Sequence, residues 1–381
     1  MRSWALSFVA VTGCSFNVSV TPVDDGGGMV DANACAQWRP EHVDPCMLVT
    51  PRGLDLVLSG TYVYDTELET LVDPMGATVD HASEGQPSLV IVVADHLTVA
   101  ATSRLRAVGT RPLMIVAWTT IVVDGSIDVS SRPGQPGAGV GTAECTTPSP
   151  GENDVGGAGG GGGGGFGAAG GKGGDGDSNL SGGNDGTGLG ASPGAALALP
   201  ARVHAGCGGG DGGGGTTAQR GRGGMGGGAL ELVARDSITV RGTLHAGGQG
   251  GTGTSNDGGG GGGGSGGYLG LDAPVVILDG GTLAANGGAG AGGGDDGNVG
   301  ELGEDGRALE VAATGGIGGL PGGTRGGDGG VAGAEAGRSV TITNTGGGGG
   351  GGGGAGMILV WSPAFDAGTT ATISPAAITN P

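Results

Sequence analysis

Between Leu230 and Ala246 the apolar residues fall on every second position: Leu230, Leu232 and Ala234, then Ile238 and Val240, then Leu244 and Ala246. Successive side chains of a β-strand point to opposite faces, so this alternation predicts strands with one buried face. Asp236 and Gly242 interrupt the runs and mark corners. The stretch therefore predicts three short strands bent around a narrow apolar interior.

The arrangement recurs. Leu113 to Val129 matches Leu230 to Ala246 without a gap, and a third copy runs from Leu269 through Ile277, Gly281 and Leu283 to Ala285. A fourth begins at Leu89, continues through Leu97 and Val99, and needs a two-residue insertion before Leu105. The last, Ile358 to Ile373, is one residue out of register and reads as a cap, with weaker fragments at Leu309–Val311 and Val340–Ile342. Leu89 to Leu113 spans 24 residues, the size of one coil of a parallel β-helix. Stacked coils bury the alternating faces and pair each backbone with its neighbours, which makes a core without aromatic residues. An antiparallel sandwich with glycine-rich hairpins has no reason to keep its corner glycine in one place. The fold expected is all-β, a single-stranded parallel β-helix or solenoid with long glycine-rich insertions on one edge.

Those insertions leave just after the third strand, at Val129, Ala246 and Ala285, and return just before the first, at Gly228, Gly267 and Gly356. Val203-His-Ala205-Gly-Cys207 imitates the exit at Leu244-His-Ala246 and predicts a strand inside the longest insertion. Two arrangements of the glycine tracts stay open: flexible linkers, or extended threefold helices packed side by side. If they are loops outside the coil, deleting Gly258 to Gly264 costs much less than placing Asp at Ile238.

Composition narrows the class. Glycine supplies 101 of 381 residues and aromatic residues only 3%, which disfavours a helical enzyme with a conventional core. Blocks such as Gly159 to Gly165 and Gly346 to Gly354 lack the Gly-X-Y period of collagen. The formal net charge of −20 excludes the basic face that nucleic acid requires.

At the N-terminus, Met1-Arg2-Ser3-Trp4, the apolar stretch Ala5 to Val11 and Val11-Thr12-Gly13-Cys14 resemble a lipoprotein signal ending in a lipobox. The small Gly13 admits the peptidase and the thiol of Cys14 receives the lipid. Ser15, in place of the aspartate that retains enteric lipoproteins at the inner membrane, points to the outer membrane. Setting Cys14 aside leaves four cysteines, which suits an oxidising compartment, and the expected disulfides join Cys35 with Cys46 and Cys145 with Cys207. The chain divides into a signal peptide (1–14), a linker with a disulfide loop (15–50), a strand-rich lead-in (51–84) and a glycine-rich solenoid (85–381).

A lipobox, a short cysteine-containing linker, and repeats such as Ser237-Ile-Thr-Val-Arg-Gly-Thr-Leu-His-Ala-Gly-Gly between glycine blocks resemble the glycine-rich bacterial surface lipoproteins described as PE-PGRS-like. The resemblance implies location and architecture and carries no site residues.

Constellations that bear chemistry are sparse. Gly173-Gly-Asp-Gly-Asp-Ser178 falls short of a calcium-binding nonapeptide, and Lys172 is followed by glycine instead of the Ser or Thr of a phosphate loop. The histidines His42, His81, His96, His204 and His245 are far apart, with His204 and His245 expected at exposed strand ends. Asp124, Asp128, Arg235, Asp236 and Arg241 point outward without a convergent pair of carboxylates, so no acid and base are nominated for a polysaccharide lyase or hydrolase. No catalytic residue, metal site or cofactor is expected. The function expected is that of a lipid-anchored structural or adhesive protein of the cell envelope. Its partners are the membrane and, for an adhesin, a surface glycan or envelope protein.

Overall fold

The computed structural model describes residues 35, 37–48, 54–141, 145–146, 148–177, 188–215, 219–333, 337–338 and 346–381. Cys14 and its apolar run, and the fragment Val340–Ile342, lie outside the described residues.

The fold is all-β and rests on three sheets, each of which takes one strand from every repeat. Face one is built from the first strands, Leu89–Ala94, Leu113–Ala117, Ala229–Ala234, Tyr268–Asp272 and Met357–Trp361, all parallel. Face two holds Leu56–Leu58, Leu97–Val99, Thr120–Val123, Ser237–Val240, Val275–Leu278 and Ala364–Asp366, and is parallel throughout. Face three holds Thr61–Asp65, Arg104–Val108, Ser126–Asp128, Thr243–His245, Thr282–Ala284 and Thr372–Ser374. At the N-terminal end antiparallel strands close two edges: Ala82–Gln86 lies against Leu89–Ala94, and Thr70–Val72 and Thr78–Val79 extend face three.

The alternating residues converge on one apolar core. Leu230, Leu232, Ala234, Ile238, Val240, Leu244 and Ala246 all belong to it, stacked on Leu113, Ile115, Ala117, Ile121, Val123, Ile127 and Val129. A glycine sits at most corners between faces two and three, among them Gly125, Gly242 and Gly281, while the corner at 100–103 is Ala-Ala-Thr-Ser. A Cβ at Gly242 would stand 1.7 Å from the carbonyl oxygen of Gly125 in the preceding repeat, so only glycine allows the repeats to stack this closely.

Register differs from the sequence expectation in two places. Val276, not Ile277, pairs with Ile238 and enters the core, while Ile277 pairs with Thr239 and faces outward. The cause lies in the corners. Pro274 stands in a corner one residue shorter than its predecessor, and Asp279-Gly280-Gly281 restores the length with Gly280 at φ +74°. Likewise Val90, not Leu89, pairs with Leu113, because the corner that follows is one residue shorter: two residues join Ala94 to Leu97 where three join Ala117 to Ile121. The two-residue insertion before Leu105 is present, since Leu97 pairs with Ile121 and Leu105 with Ile127.

Face one is apolar on both sides, which explains runs such as Leu-Val-Ile-Val-Val-Ala at 89–94 that do not alternate. Its outer side carries a second core of Ile91, Val93, Met114, Val116, Val233 and Leu359, covered by Trp38, Leu48, Phe166 and Val203. Val203–Cys207 lies in this cover as extended chain and not as the strand expected from its likeness to Leu244–Ala246. Leu309–Val311 is likewise no strand, and both leucine and valine are exposed.

The glycine tracts are ordered. Gly259, Gly262 and Ser265 donate to Gly213, Gly210 and Cys207; Gly260, Gly263 and Gly266 donate to Gly348, Gly351 and Gly354; Gly261, Gly264 and Gly267 donate to Thr252, Gln249 and Ala246. These N···O distances run from 2.7 to 3.1 Å. The carbonyls of the same tract accept from three further segments: from Gly161 and Gly164, from Gly221, Gly224 and Gly227, and from Gly288, Ala291 and Gly294. A hydrogen-bonding direction that repeats every third residue is that of an extended threefold helix of the polyproline type, which has no internal hydrogen bonds. Here every group that such a helix leaves open is paired with a neighbour. The tract is thus ringed by six segments. A Cβ on any of Gly259 to Gly264 would lie 1.9 to 2.3 Å from a backbone oxygen, so the glycines are required by contact and do not serve to make the chain flexible. Of the two arrangements left open, the packed threefold helices are the ones present, so the picture in which deleting Gly258 to Gly264 costs little is corrected: this tract is the centre of a second, backbone-only core.

Candidate functional site

Three polar constellations stand out against the apolar and glycine cores. The first lies on the outer side of face one. Residues 37–48 run over the sheet, with the disulfide Cys35–Cys46 closing the segment and Trp38 edge-on to Trp118 at 5.3 Å. Under this strap Glu231, fully buried in mid-strand, is met by His42 Nδ1 at 2.9 Å and accepts a hydrogen bond from the Tyr268 hydroxyl at 3.1 Å. Burial opposes charge on His42, but the hydrogen bond and negative charge of Glu231 hold its pKa above the ordinary 6.5. On the next strand Asp272 accepts from the Glu41 backbone N–H at 2.8 Å. Burial, with the negative Glu231 nearby, pushes the Asp272 carboxyl up to about 6. The arrangement is a charged latch: it fastens the strap and at the same time seals Glu231 from solvent, while Asp272 stays half-buried at its edge.

The second surrounds Asp128 on the outer side of face three. Its carboxylate meets Arg104, Arg106 at 3.0 Å and Arg132 at 2.5 Å, and accepts from the Ser130 hydroxyl at 2.6 Å. Burial alone would raise its pKa, yet Ser130 and Arg106 hold it at about 2. His245, in register with Asp128 across the parallel strands, joins this cluster to the glycine layer through Nε2 and the Gly306 carbonyl at 3.0 Å. The expectation that His204 and His245 are exposed is corrected. Both are largely enclosed, His204 stacked on Phe166 with ring centroids 5.4 Å apart, and burial lowers the pKa of each. Of the other outward charges, Asp124 and Asp279 both bind Arg241, at 2.9 and 3.1 Å, while Arg235 and Asp236 are exposed at a corner. The second cysteine pair, Cys145 and Cys207, forms a disulfide that ties the start of the longest insertion to the cover of face one.

The third is an open groove of about 690 Å³ where the outgoing glycine tracts turn back. Asp211, Gln219, Arg220, Arg222, Thr254 and Ser255 line it, with Val299 as its apolar side chain. Close by, Asp257, Asp295 and Asp296 bring carboxylate oxygens within 4.8 Å of one another. Two of these already serve the turns, since Asp257 accepts from Asp296 N–H and Asp295 from Gly322 N–H. Asp175, in the segment compared above with a calcium loop, accepts from Gly190 N–H and pairs with Lys172.

No protein-family model matches this chain, no curated protein is similar to it, and no solved structure matches it. Any reading of function therefore rests on the chain's own residues. The sequence reasoning missed the His42–Glu231 latch. Its visible signals were a glutamate in the apolar run Ala-Leu-Glu-Leu-Val-Ala and a tyrosine in the following repeat.

Proposed function

We propose that the chain is a lipid-anchored structural protein of the bacterial cell envelope, carried on a single parallel β-solenoid that is backed by the glycine layer. Three parallel sheets filled in turn by successive repeats support the solenoid. The observation that carries the structural role is the glycine layer itself, in which each central tract is hydrogen-bonded on all sides to other backbone. Such a body gains stiffness from its main chain and does not need large side chains. The non-catalytic reading is favoured by the fate of the carboxylates: Glu231 is latched beneath the strap and Asp128 is neutralised by arginines, whereas glycoside cleavage needs two carboxyl groups flanking a substrate.

The anchor is assigned to Cys14, on the lipobox Val11-Thr12-Gly13-Cys14. Replacing Cys14 with Ala is expected to move the protein from the membrane fraction to the soluble fraction. Unchanged fractionation of the Cys14→Ala protein would sink this assignment. An adhesive role, with a surface glycan as the partner, is the second reading, and the polar groove at the turns of the glycine tracts favours it.

A further inference from the structure

We infer that the groove at the turns of the glycine layer is a binding site for a carboxylate-bearing polysaccharide, an inference that rests on the adhesive reading above. The groove takes its chemistry from two adjoining turns. Segment 219–222 supplies two guanidinium groups and an amide; segment 253–255 supplies hydroxyls on a rigid floor, because Thr252 and Arg222 exchange backbone and side-chain hydrogen bonds.

The donors are only partly used. Arg222 has no acidic partner among the described residues, and Arg220 stands 3.8 Å from Asp211, whose other oxygen already accepts from Gly223 N–H. Gln219 Oε1 accepts from Ser255 Oγ at 2.9 Å and from Asn256 Nδ2 at 3.3 Å, which occupies the oxygen of this groove-lining amide and leaves its N–H groups as the donors it can offer. Forked guanidinium groups suit a planar carboxylate. The Gln219 amide suits sugar hydroxyls, as does the remaining lone pair of the Ser255 hydroxyl, which already donates to Gln219 and accepts from Asn256, whereas Thr254 is buried; the exposed Val299 offers an apolar surface to the C–H face of a ring. A volume of about 690 Å³ is larger than a single small anion needs and leaves room for sugar rings beside the carboxylate.

The neighbouring acids do not cancel this preference. Asp257 and Asp295 direct carboxylate oxygens to the backbone N–H groups of Asp296 and Gly322 in neighbouring turns. In a chain of net charge −20, two arginines side by side on one groove wall are a local exception. Long-range repulsion then acts against any polyanion, and close recognition has to overcome it.

The test uses the full-length purified chain and affinity electrophoresis through gels containing polygalacturonate, dextran sulfate or neutral dextran. Retardation by polygalacturonate, with neutral dextran and dextran sulfate each binding at least about tenfold more weakly, is expected. Arg220→Ala and Arg222→Ala should each lower the affinity about tenfold, since a charge-assisted pair is worth that factor. Arg235→Ala, on an exposed corner away from the groove, should leave it unchanged. Thermal melting checks that the variants fold, and both groove arginines are exposed. Equal loss in Arg235→Ala, or equal retention by dextran sulfate, would mean that general charge alone is read and would overturn the proposal. So would a chain that ignores polygalacturonate yet still adheres to whole cell envelopes, an outcome that leaves the adhesive reading intact.

Discussion

Replacing Gly262 with Ala places a methyl group 2.1 Å from the carbonyl oxygen of Gly162, where ordinary contact begins at 3.4 Å. The obstacle is main chain, so it cannot rotate away; the two segments must separate by more than about 1 Å. They are held together by Gly161 N–H to Gly260 and Gly164 N–H to Gly263, both at 2.9 Å. Stretching these past about 3.5 Å ends them as hydrogen bonds and leaves two buried N–H groups unpaired. At about 1–3 kcal/mol for each orphaned group, the expected loss is about 4 kcal/mol. Gly297 is the matched control, since a Cβ there meets nothing within 4 Å and its φ lies outside the left-handed region. Its replacement by Ala should change stability by no more than about 0.5 kcal/mol. Equilibrium urea unfolding followed by far-ultraviolet circular dichroism measures both. If Gly262→Ala and Gly297→Ala unfold at the same midpoint with the same slope, then the glycine layer is not a core.

Further outcomes concern the charged clusters and the disulfides. His42 has a raised folded pKa, so its contribution is complete below 6.5 and fades as pH rises through the folded value; Asp272, raised to about 6 from 3.8, favours the closed strap at low pH and opposes it above 6. Protection factors of residues 37–48 in hydrogen exchange, normalised to the intrinsic rate at each pH, should therefore be higher at pH 5 than at pH 8, and Asp272→Asn should reduce the difference; equal protection factors at both pH values contradict the latch. Asp128→Asn keeps the shape but leaves Arg104, Arg106 and Arg132 without their carboxylate, and should cost about 3–5 kcal/mol in urea unfolding; a loss under 1 kcal/mol would show that the ion pairs contribute little. Replacing both Cys145 and Cys207 with Ser opens a loop of 62 residues and should cost about 4 kcal/mol, an expectation refuted by an unchanged unfolding midpoint.

What the sequence disclosed follows from which groups carry information. The inner residues of the repeats announce themselves by alternation, so Ile238 and Leu244 are placed correctly without any structure. The slip at Ile277 was hidden because Val275 to Leu278 is apolar at every position, and only the short corner at Pro274 decides which side faces inward. The glycine layer was invisible for a different reason. Its partners are selected by backbone N–H and C=O groups common to all residues, so Gly259 carries no mark that distinguishes Gly213 from any other carbonyl. His42 and Glu231 are 189 residues apart, and nothing local in the linker foretells that it folds back over face one. The groove arginines were likewise legible only as scattered basic residues, since the turns of separate tracts bring them together with Thr254 and Ser255.

The six-sided enclosure of the central glycine tract also bears on how this protein is degraded. A protease must draw an extended stretch of chain into its cleft, and most proteases identify that stretch by a side chain filling a specificity pocket. Gly258 to Gly264 presents no side chain to identify, and it cannot be drawn out without breaking main-chain hydrogen bonds to every neighbour at once. Cleavage is accordingly confined to the turns and exposed ends, where a nick severs the chain but leaves the laterally bonded segments in place. The body of the molecule would thus keep its shape after cuts that dismantle an ordinary domain of the same length.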